Sequence, residues 1–408
     1  VNNLKSAILK SLYFANVQSI AELSSSIGKS IPLVTQNVNE LLEDGMIKES
    51  GRRASTGGRR AMDYMLDTSA HGCVIAVAID QHSARICAYN ILNESLAVTA
   101  NVSCNLQNDD VAFIAIRDAI GRVYSQLDGR DVLAIGITIP GFVDPSTGIN
   151  SSYPSTSPLH SLQETIEATF GIPAYLENDS SAIAIAEKHF GAARDTEDAL
   201  VINLNWGVGL GMIINNRLFS GHSGFAGEFS HIPLANENKL CSCGKKGCLE
   251  VEASLLCVFE DIREALAAGE RSSLEDAFQD SHDVAFPLLL AAYEKGDQLT
   301  IRALKKIGHM LGKGIATLIH IMNPEKIVVS GRGAAFGDVL LPQIQSSIQE
   351  YCIPRLAKQT TIEISDIPDV QLLASSCTAV QQMPWVKAGE TELTKYKEKD
   401  QIASHRVS

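Results

Sequence analysis

Over the first 66 residues the apolar positions recur at helical intervals; from about residue 72 they gather into short continuous runs separated by amphipathic stretches. Leu4, Ile8 and Leu12, with Ala7 beside them, mark one face of a first helix. Ile20, Leu23 and Ile27 mark a second, with Ser19 placed to cap it and Gly28 to end it. Ser30 is placed to cap a third helix that accepts Pro32 in its first turn, buries Val34, Val38, Leu41 and Leu42, and stops at Gly45. Two short strands, at 46–50 and 62–66, flank a tip rich in glycine and arginine.

Beyond residue 72 the pattern predicts buried strands at 74–79, 132–139, 174–176, 200–204 and 327–329. Helical spacing fills 112–126, 180–190, 250–267 and 299–322. Such alternation predicts an α/β body of packed layers. The tail from Lys387 is charged and reads as a solvated final helix or a partly disordered end.

The polar face of the third predicted helix carries Gln36 and Asn39, with Thr35 at its flank. Amides and hydroxyls of this kind pair with base edges in a major groove. Arg52, Arg53, Arg59 and Arg60 in the following tip suit phosphates or a narrow minor groove. The plainer alternative, a helical hairpin with a solvated basic loop, accounts for each feature singly but not for their succession. Double-stranded DNA is therefore the expected partner of this end.

Composition sharpens that picture. The 408 residues suffice for two or three domains, and the net charge of −13 excludes a protein that simply coats nucleic acid. The charge is uneven: residues 1–66 sum to +2 and the remainder to −15. No apolar run approaches the ~20 residues of a membrane helix, so no membrane insertion is expected. The first ten residues lack the basic-then-apolar layout of a secretory signal, which makes a cytoplasmic location the expectation.

Six of the nine cysteines (Cys73, Cys87, Cys104, Cys257, Cys352 and Cys377) are scattered in mostly apolar surroundings and read as buried thiols. Cys241, Cys243 and Cys248 instead fall within eight positions, with Gly244 and Gly247 to let the backbone fold around an ion. Three thiolates and an imidazole complete a tetrahedral structural zinc site. His231, ten positions earlier, is the expected fourth ligand, and His222 the weaker candidate.

The run Gly224-Phe-Ala-Gly-Glu228-Phe-Ser-His231, followed by the cysteine loop and Leu249-Glu250, resembles the signature of the ROK family of repressors, open reading frames and sugar kinases. Ile139-Pro-Gly141-Phe-Val-Asp144 resembles the family's Pro-Gly loop, and Glu177-Asn178-Asp179 its sugar-binding and catalytic triplet. Ser55-Thr-Gly-Gly-Arg59-Arg60 resembles the wing of its repressor branch. The resemblance implies a winged helix-turn-helix over 1–70 and a two-lobed, actin-like (RNase H-like) body. The small lobe is expected at 71–187, rejoined by a helix at about 383–400, and the large lobe at 188–382. It also implies that Gly141, Asn178, Asp179, Glu228, His231 and Glu250 line a sugar site. Fixed carboxylates accept hydroxyl protons well, and a zinc-bound imidazole is held in orientation for such a contact. Taken singly, Asp179 is also a helix cap and Glu250 a first-turn acid favoured by the helix dipole.

Active kinases of the family carry Asp-x-Gly-Gly-Thr in a first phosphate loop and Gly-Thr-Gly in a second. Here those stretches read Asp80-Gln81-His82-Ser83-Ala84-Arg85 and Asn205-Trp206-Gly207. The lost glycines bar close backbone approach to phosphate, and an indole replaces the phosphate-facing hydroxyl. The expectation is a non-enzymatic regulator whose sugar effector, free or phosphorylated, alters operator affinity in a homodimer or homotetramer. The alternatives are an ATP-dependent hexose or N-acetylhexosamine kinase with a DNA-binding domain attached, and a sugar-binding adaptor whose helices dock protein.

Overall fold

The computed structural model describes residues 2–52, 62–235, 239–275 and 285–385. They divide into two units. Among them the first holds the residues up to Gly72, Asn90–Glu94 and those from Val380 to Trp385; the second holds those within Cys73–Tyr89 and Ser95–Ala379.

In the first unit α1 (Asn2–Ala15) leads through β1 (Gln18–Ser19) into α2 (Ile20–Ile27) and α3 (Ile31–Glu43). Ser19 and Glu22 form a reciprocal capping box at the start of α2, and Gly28 ends it in the left-handed region at φ 68°. Ser30 stands at the N-cap of α3, but its side chain makes no capping hydrogen bond; Pro32 serves instead as the preset first turn. Ile8, Leu12, Leu23, Val34, Val38 and Leu41 are buried, as their spacing required, whereas Leu42 is only half-buried. β2 (Ile47–Arg52) and β3 (Met62–Leu66) form an antiparallel hairpin, with β1 on the other edge of β3.

The second unit holds two five-stranded sheets. The first is built from β4 (Cys73–Ile79), β5 (Ser83–Asn90), β6 (Ser95–Ser103), β7 (Val132–Ile139) and, after the small hairpin β8 (Val143–Asp144) and β9 (Ile149–Asn150), β10 (Ala174–Asn178). Its order is β10-β7-β4-β5-β6, with β10, β7 and β4 parallel. All seven residues of β4 are buried, as expected for a central strand covered on both faces. α4 (Asp109–Ser125) and α5 (Leu162–Phe170) belong to this layer.

α6 (Asp179–Phe190) follows β10 directly and lies on the second sheet, against β11 (Ala199–Leu204) and β12 (Val208–Ile214). A Cβ on Gly209 would lie 1.9 Å from Ser180 Oγ and one on Gly211 would lie 2.3 Å from Ala184 Cβ, so these glycines are required by strand–helix contact. α6 therefore runs through the lobe boundary expected at 187/188; the chain changes sheets at Asn178–Asp179. β13 (Arg217–Leu218), β14 (Lys326–Ser330) and β15 (Thr361–Ile364) complete the order β13-β12-β11-β14-β15.

The helix expected at 250–267 is broken into α7 (Glu250–Ala253) and α8 (Leu255–Ala267), because Ser254 adopts an extended backbone. α9 (Ala285–Glu294), the 25-residue α10 (Gln298–Met322), α11 (Gly337–Tyr351) and the short α12 (Pro354–Ala357) follow. Asp297 caps α10 by accepting from Thr300 N at 2.9 Å. α13 (Val370–Gln382) returns to the first sheet: Gln371 Nε2 donates to Ile79 O at 2.9 Å and Ser375 Oγ to Val77 O at 3.0 Å. The returning helix thus begins well before the segment 383–400 expected for that role, and residues from 386 lie outside the described residues. The six scattered cysteines are all buried. Among the described residues no helix is long and apolar enough to cross a membrane.

Candidate functional site

The cysteine loop folds tightly. Leu240 bridges Lys246, Cys241 N donates to Lys245 O at 2.7 Å, and Gly244 and Gly247 take φ values of 82° and 76°. A short 3-10 turn, Phe229–His231, brings the imidazole alongside. One ligand atom from each of His231, Cys241, Cys243 and Cys248 lies within 4.8 Å of all the others. Cys241 Sγ is 3.6 Å from His231 Nδ1, and Cys243 Sγ is 3.6 Å from Cys248 Sγ. Burial pushes the Cys248 thiol up to about 12 and the Cys241 thiol upward as well. Holding two buried sulfurs and the exposed Cys243 this close together is favourable when a soft divalent cation neutralises them as thiolates. The donor set fits zinc. His222 is exposed and is not in this group.

The six residues expected around a sugar fall into two groups. In the first, Asn178 caps α6: its Oδ1 accepts from Ser180 N at 3.0 Å and Ser181 N at 3.1 Å, while its Nδ2 donates to Gly141 O at 3.0 Å. The cap is therefore Asn178 rather than Asp179. Gly141, at φ 114°, is pressed against Ser152 and Asn150, where a Cβ would come within 2.6 Å of Ser152 Oγ. Asp179 is buried; its Oδ1 accepts from Ser180 N at 2.8 Å and its Oδ2 from Asn203 Nδ2 at 3.0 Å. Burial, opposed by these bonds, raises its carboxyl to about 6, and burial raises neighbouring Glu177 to about 7.

In the second group His231 Nε2 faces Glu228 Oε2 at 3.5 Å, on the ring edge away from the cysteines. Glu250 opens α7, with Oε2 accepting from Val208 N at 3.3 Å and Oε1 3.7 Å from Cys241 Sγ. One strand underlies both groups. Gly207 and Val208 meet Glu250, Gly209 lies under Ser180 at the start of α6, and Leu210 O lies where a Cβ on Gly227 would be, at 2.4 Å. The loops above are joined by an edge-to-face contact of Phe142 and Phe225 at 5.3 Å. Sequence reasoning missed Asn203, although a lone amide inside the apolar run 200–204 was a usable signal.

Of the residues expected to meet DNA, Gln36 and Asn39 are exposed on α3. Gln36 Nε2 donates to Glu40 Oε1 at 3.0 Å. Thr35 is half-buried, and its hydroxyl is already given to Ile31 O at 2.8 Å. Asn37, which the apolar pattern did not single out, is buried and donates to Leu33 O at 2.9 Å. Arg52 ends β2; Arg53, Arg59 and Arg60 lie outside the described residues.

The ROK family model matches residues 79–371. The chain belongs to the ROK family. It is similar to the N-acetylglucosamine repressor of Escherichia coli O6:H1, 32% identical over 337 residues that cover 82% of this chain and 80% of that protein. Its fold is similar to that of a ROK family transcriptional regulator described as a homologue of the E. coli MLC protein (TM-score 0.71, 24% identity, covering 93% of this chain and 96% of that one). It is also similar to a ROK family glucokinase from Streptomyces griseus solved with glucose and AMPPNP (TM-score 0.66, 25% identity, covering 76% of this chain and all of that one).

In this ROK body the two stretches compared with phosphate loops are filled by side chains. Asp80 folds its own turn, with Oδ1 accepting from His82 N at 2.8 Å and Ser83 N at 2.7 Å. Ala84 is fully buried. Trp206 is buried with its ring 5.7 Å from His82 and 5.3 Å from Phe259.

Proposed function

We propose that this ROK protein is a sugar-responsive DNA-binding transcriptional repressor that does not phosphorylate its ligand. Its first unit acts as a winged helix-turn-helix, with α3 as the recognition helix and the β2–β3 hairpin as the wing. The observation that carries this reading is the joining, in one chain, of a ROK body to a three-helix head whose third helix leaves Gln36 and Asn39 exposed. The relative named as an N-acetylglucosamine repressor supports it across most of the chain.

In this reading a hexose or N-acetylhexosamine is held by Asn178, Asp179, Glu228, His231 and Glu250, beside the Gly141 turn. Zinc bound by His231, Cys241, Cys243 and Cys248 is structural. It fixes the imidazole through Nδ1 and leaves Nε2 toward the sugar. The chain works as a homo-oligomer that presents two recognition helices to half-sites about 34 Å apart or a multiple of that. Sugar shifts operator affinity because it binds one body conformation better than another.

The kinase alternative is disfavoured by the occupant of the second phosphate loop. In the stretch that resembles that loop this chain carries Trp206, a buried indole, where active members carry a threonine hydroxyl. Two assays on the purified full chain test the reading. Selection from a random duplex pool should enrich one symmetric, salt-sensitive site, and ADP formation with glucose, N-acetylglucosamine, N-acetylmannosamine or xylose should stay at background. Steady turnover of ATP with any of them would replace this proposal by the kinase.

A further inference from the structure

Within the second unit, the β4–β5 turn of the first sheet and the turn after β14 of the second are joined by one buried ion pair. Asp80 Oδ2 accepts from Arg332 Nη2, and the same nitrogen reaches Ser83 Oγ at 3.2 Å. Asp80 is 4% exposed and Arg332 17%. The guanidinium lies 5.9 Å from the Trp206 ring centre and 5.3 Å from that of Phe286, and His82 packs edge-on to the same indole. Arg85, the other cation of this region, is committed to Asp369 and to Gln371 at 3.4 Å.

This pair is wired to the candidate sugar site. Asp179 Oδ2 accepts from Asn203 Nδ2 on β11, and Asn203 pairs with Ser330 on β14. The other face of Asn203 is packed against Gly331, where a Cβ would fall 2.4 Å from Oδ1 and where φ is 77°. Arg332 is the next residue. Asp179, Asn203 and Gly331 are thus in unbroken contact up to the residue before Arg332.

We infer that Asp80 and Arg332 form a clasp between the two sheets, seated on Trp206, which sets how readily the β4–β5 turn and the turn after β14 part and positions Asp179 for the ligand through Asn203. Arg332 is a positioning residue in this account, not a ligand contact. The inference rests on the sugar-binding reading for its consequence and on geometry alone for its existence. A guanidinium held against an indole while bonded to a buried carboxylate makes a stronger tie than an exposed ion pair, because both partners are shielded from water.

The experiment reads each side of the pair from the other. In the full-length protein without sugar, Arg332→Met should speed amide exchange at His82 and Ser83 at least tenfold. Asp80→Asn should do the same at residues 333–336. The double variant should be no worse than the worse single one, and the charge-reversed pair Asp80→Arg with Arg332→Asp should restore part of the protection at residues 333–336, though not at His82 and Ser83, whose amides Asp80 itself accepts. Titration with N-acetylglucosamine, glucose and xylose then reads the consequence: whichever sugar binds the wild type should bind Arg332→Met at least tenfold more weakly, with zinc content unchanged. Arg332→Lys, which keeps the charge but not the flat stacking group, should fall between. Unchanged exchange across the pair, or single-variant effects that add in full, would overturn the clasp. Altered exchange with unchanged sugar affinity would overturn its coupling to Asp179. Altered exchange with no sugar bound by the wild type would leave the clasp standing and count against the functional reading instead.

Discussion

His231 and Glu228 face each other at 3.5 Å through the imidazole Nε2, while Nδ1 of the same ring stands 3.6 Å from Cys241 Sγ. A single side chain thus has one edge on the cysteine cluster and the other on the candidate ligand site. Cys243→Ser should lower zinc from about one ion per chain to a small fraction of that and weaken sugar binding with it, because a ring freed at Nδ1 no longer holds Nε2 in place. Glu228→Ala should lose sugar binding and keep its zinc. Elemental analysis and calorimetric titration of both variants check this, and full zinc with full sugar affinity in Cys243→Ser contradicts it.

Asp179 makes sugar binding and stability depend on pH in opposite directions. Burial lifts its carboxyl from an ordinary 3.8 to about 6, so the folded chain holds this proton at pH values where the unfolded chain has released it. Stability from the neutral carboxyl is full below about 4 and is lost as pH rises through about 6. Asp179→Asn should therefore match the wild type near pH 4 and exceed it at pH 7.5, by on the order of 1–3 kcal/mol in chemical denaturation. Sugar affinity of the wild type should fall as pH drops below about 6, since the carboxylate is the better acceptor, and should be lost in the variant.

On the DNA-binding proposal, Gln36 and the arginines of the 52–60 stretch should separate in a binding series. Gln36→Ala should cost about 1–3 kcal/mol at the preferred base pair and relax preference there. Arg59→Ala should weaken binding to all sequences alike and reduce the salt slope by about 1. Binding measured on a panel of single-base operator variants at two salt concentrations distinguishes the two patterns.

Gly136, on β7, has no room for a side chain. A Cβ there would lie 1.9 Å from Ser375 O and 2.9 Å from Ala379 N, both on the backbone of α13. Gly136→Ala should destabilise the body by about 3 kcal/mol, read as a shift in the denaturation midpoint.

Local chemistry was legible in the sequence wherever the partners lie within a few residues. The Ser19 cap, the Gly28 stop, the continuous apolar strands and the clustering of Cys241, Cys243 and Cys248 all follow from short spacings. What escaped depends on contacts made across the fold. Asn178 displaces Asp179 as the cap because Gly141, in the turn after β7, holds its amide. Ser254 breaks a helix that its neighbours would continue. Nothing near Arg332 in sequence announces Asp80, 252 positions away. The return of α13 to the first sheet is hidden for the same reason: its polar anchors, Gln371 and Ser375, bond to strand carbonyls that any sequence would present.

The central claim is that a sugar bound in the ROK body changes operator affinity without being phosphorylated. Fluorescence anisotropy of the selected operator, titrated with the full-length chain in the presence and absence of each hexose and amino sugar, free and phosphorylated, tests it directly. One ligand should shift the operator Kd by about 5- to 150-fold, the range of a 1–3 kcal/mol coupling. An operator Kd that is the same with every sugar tried would contradict the account.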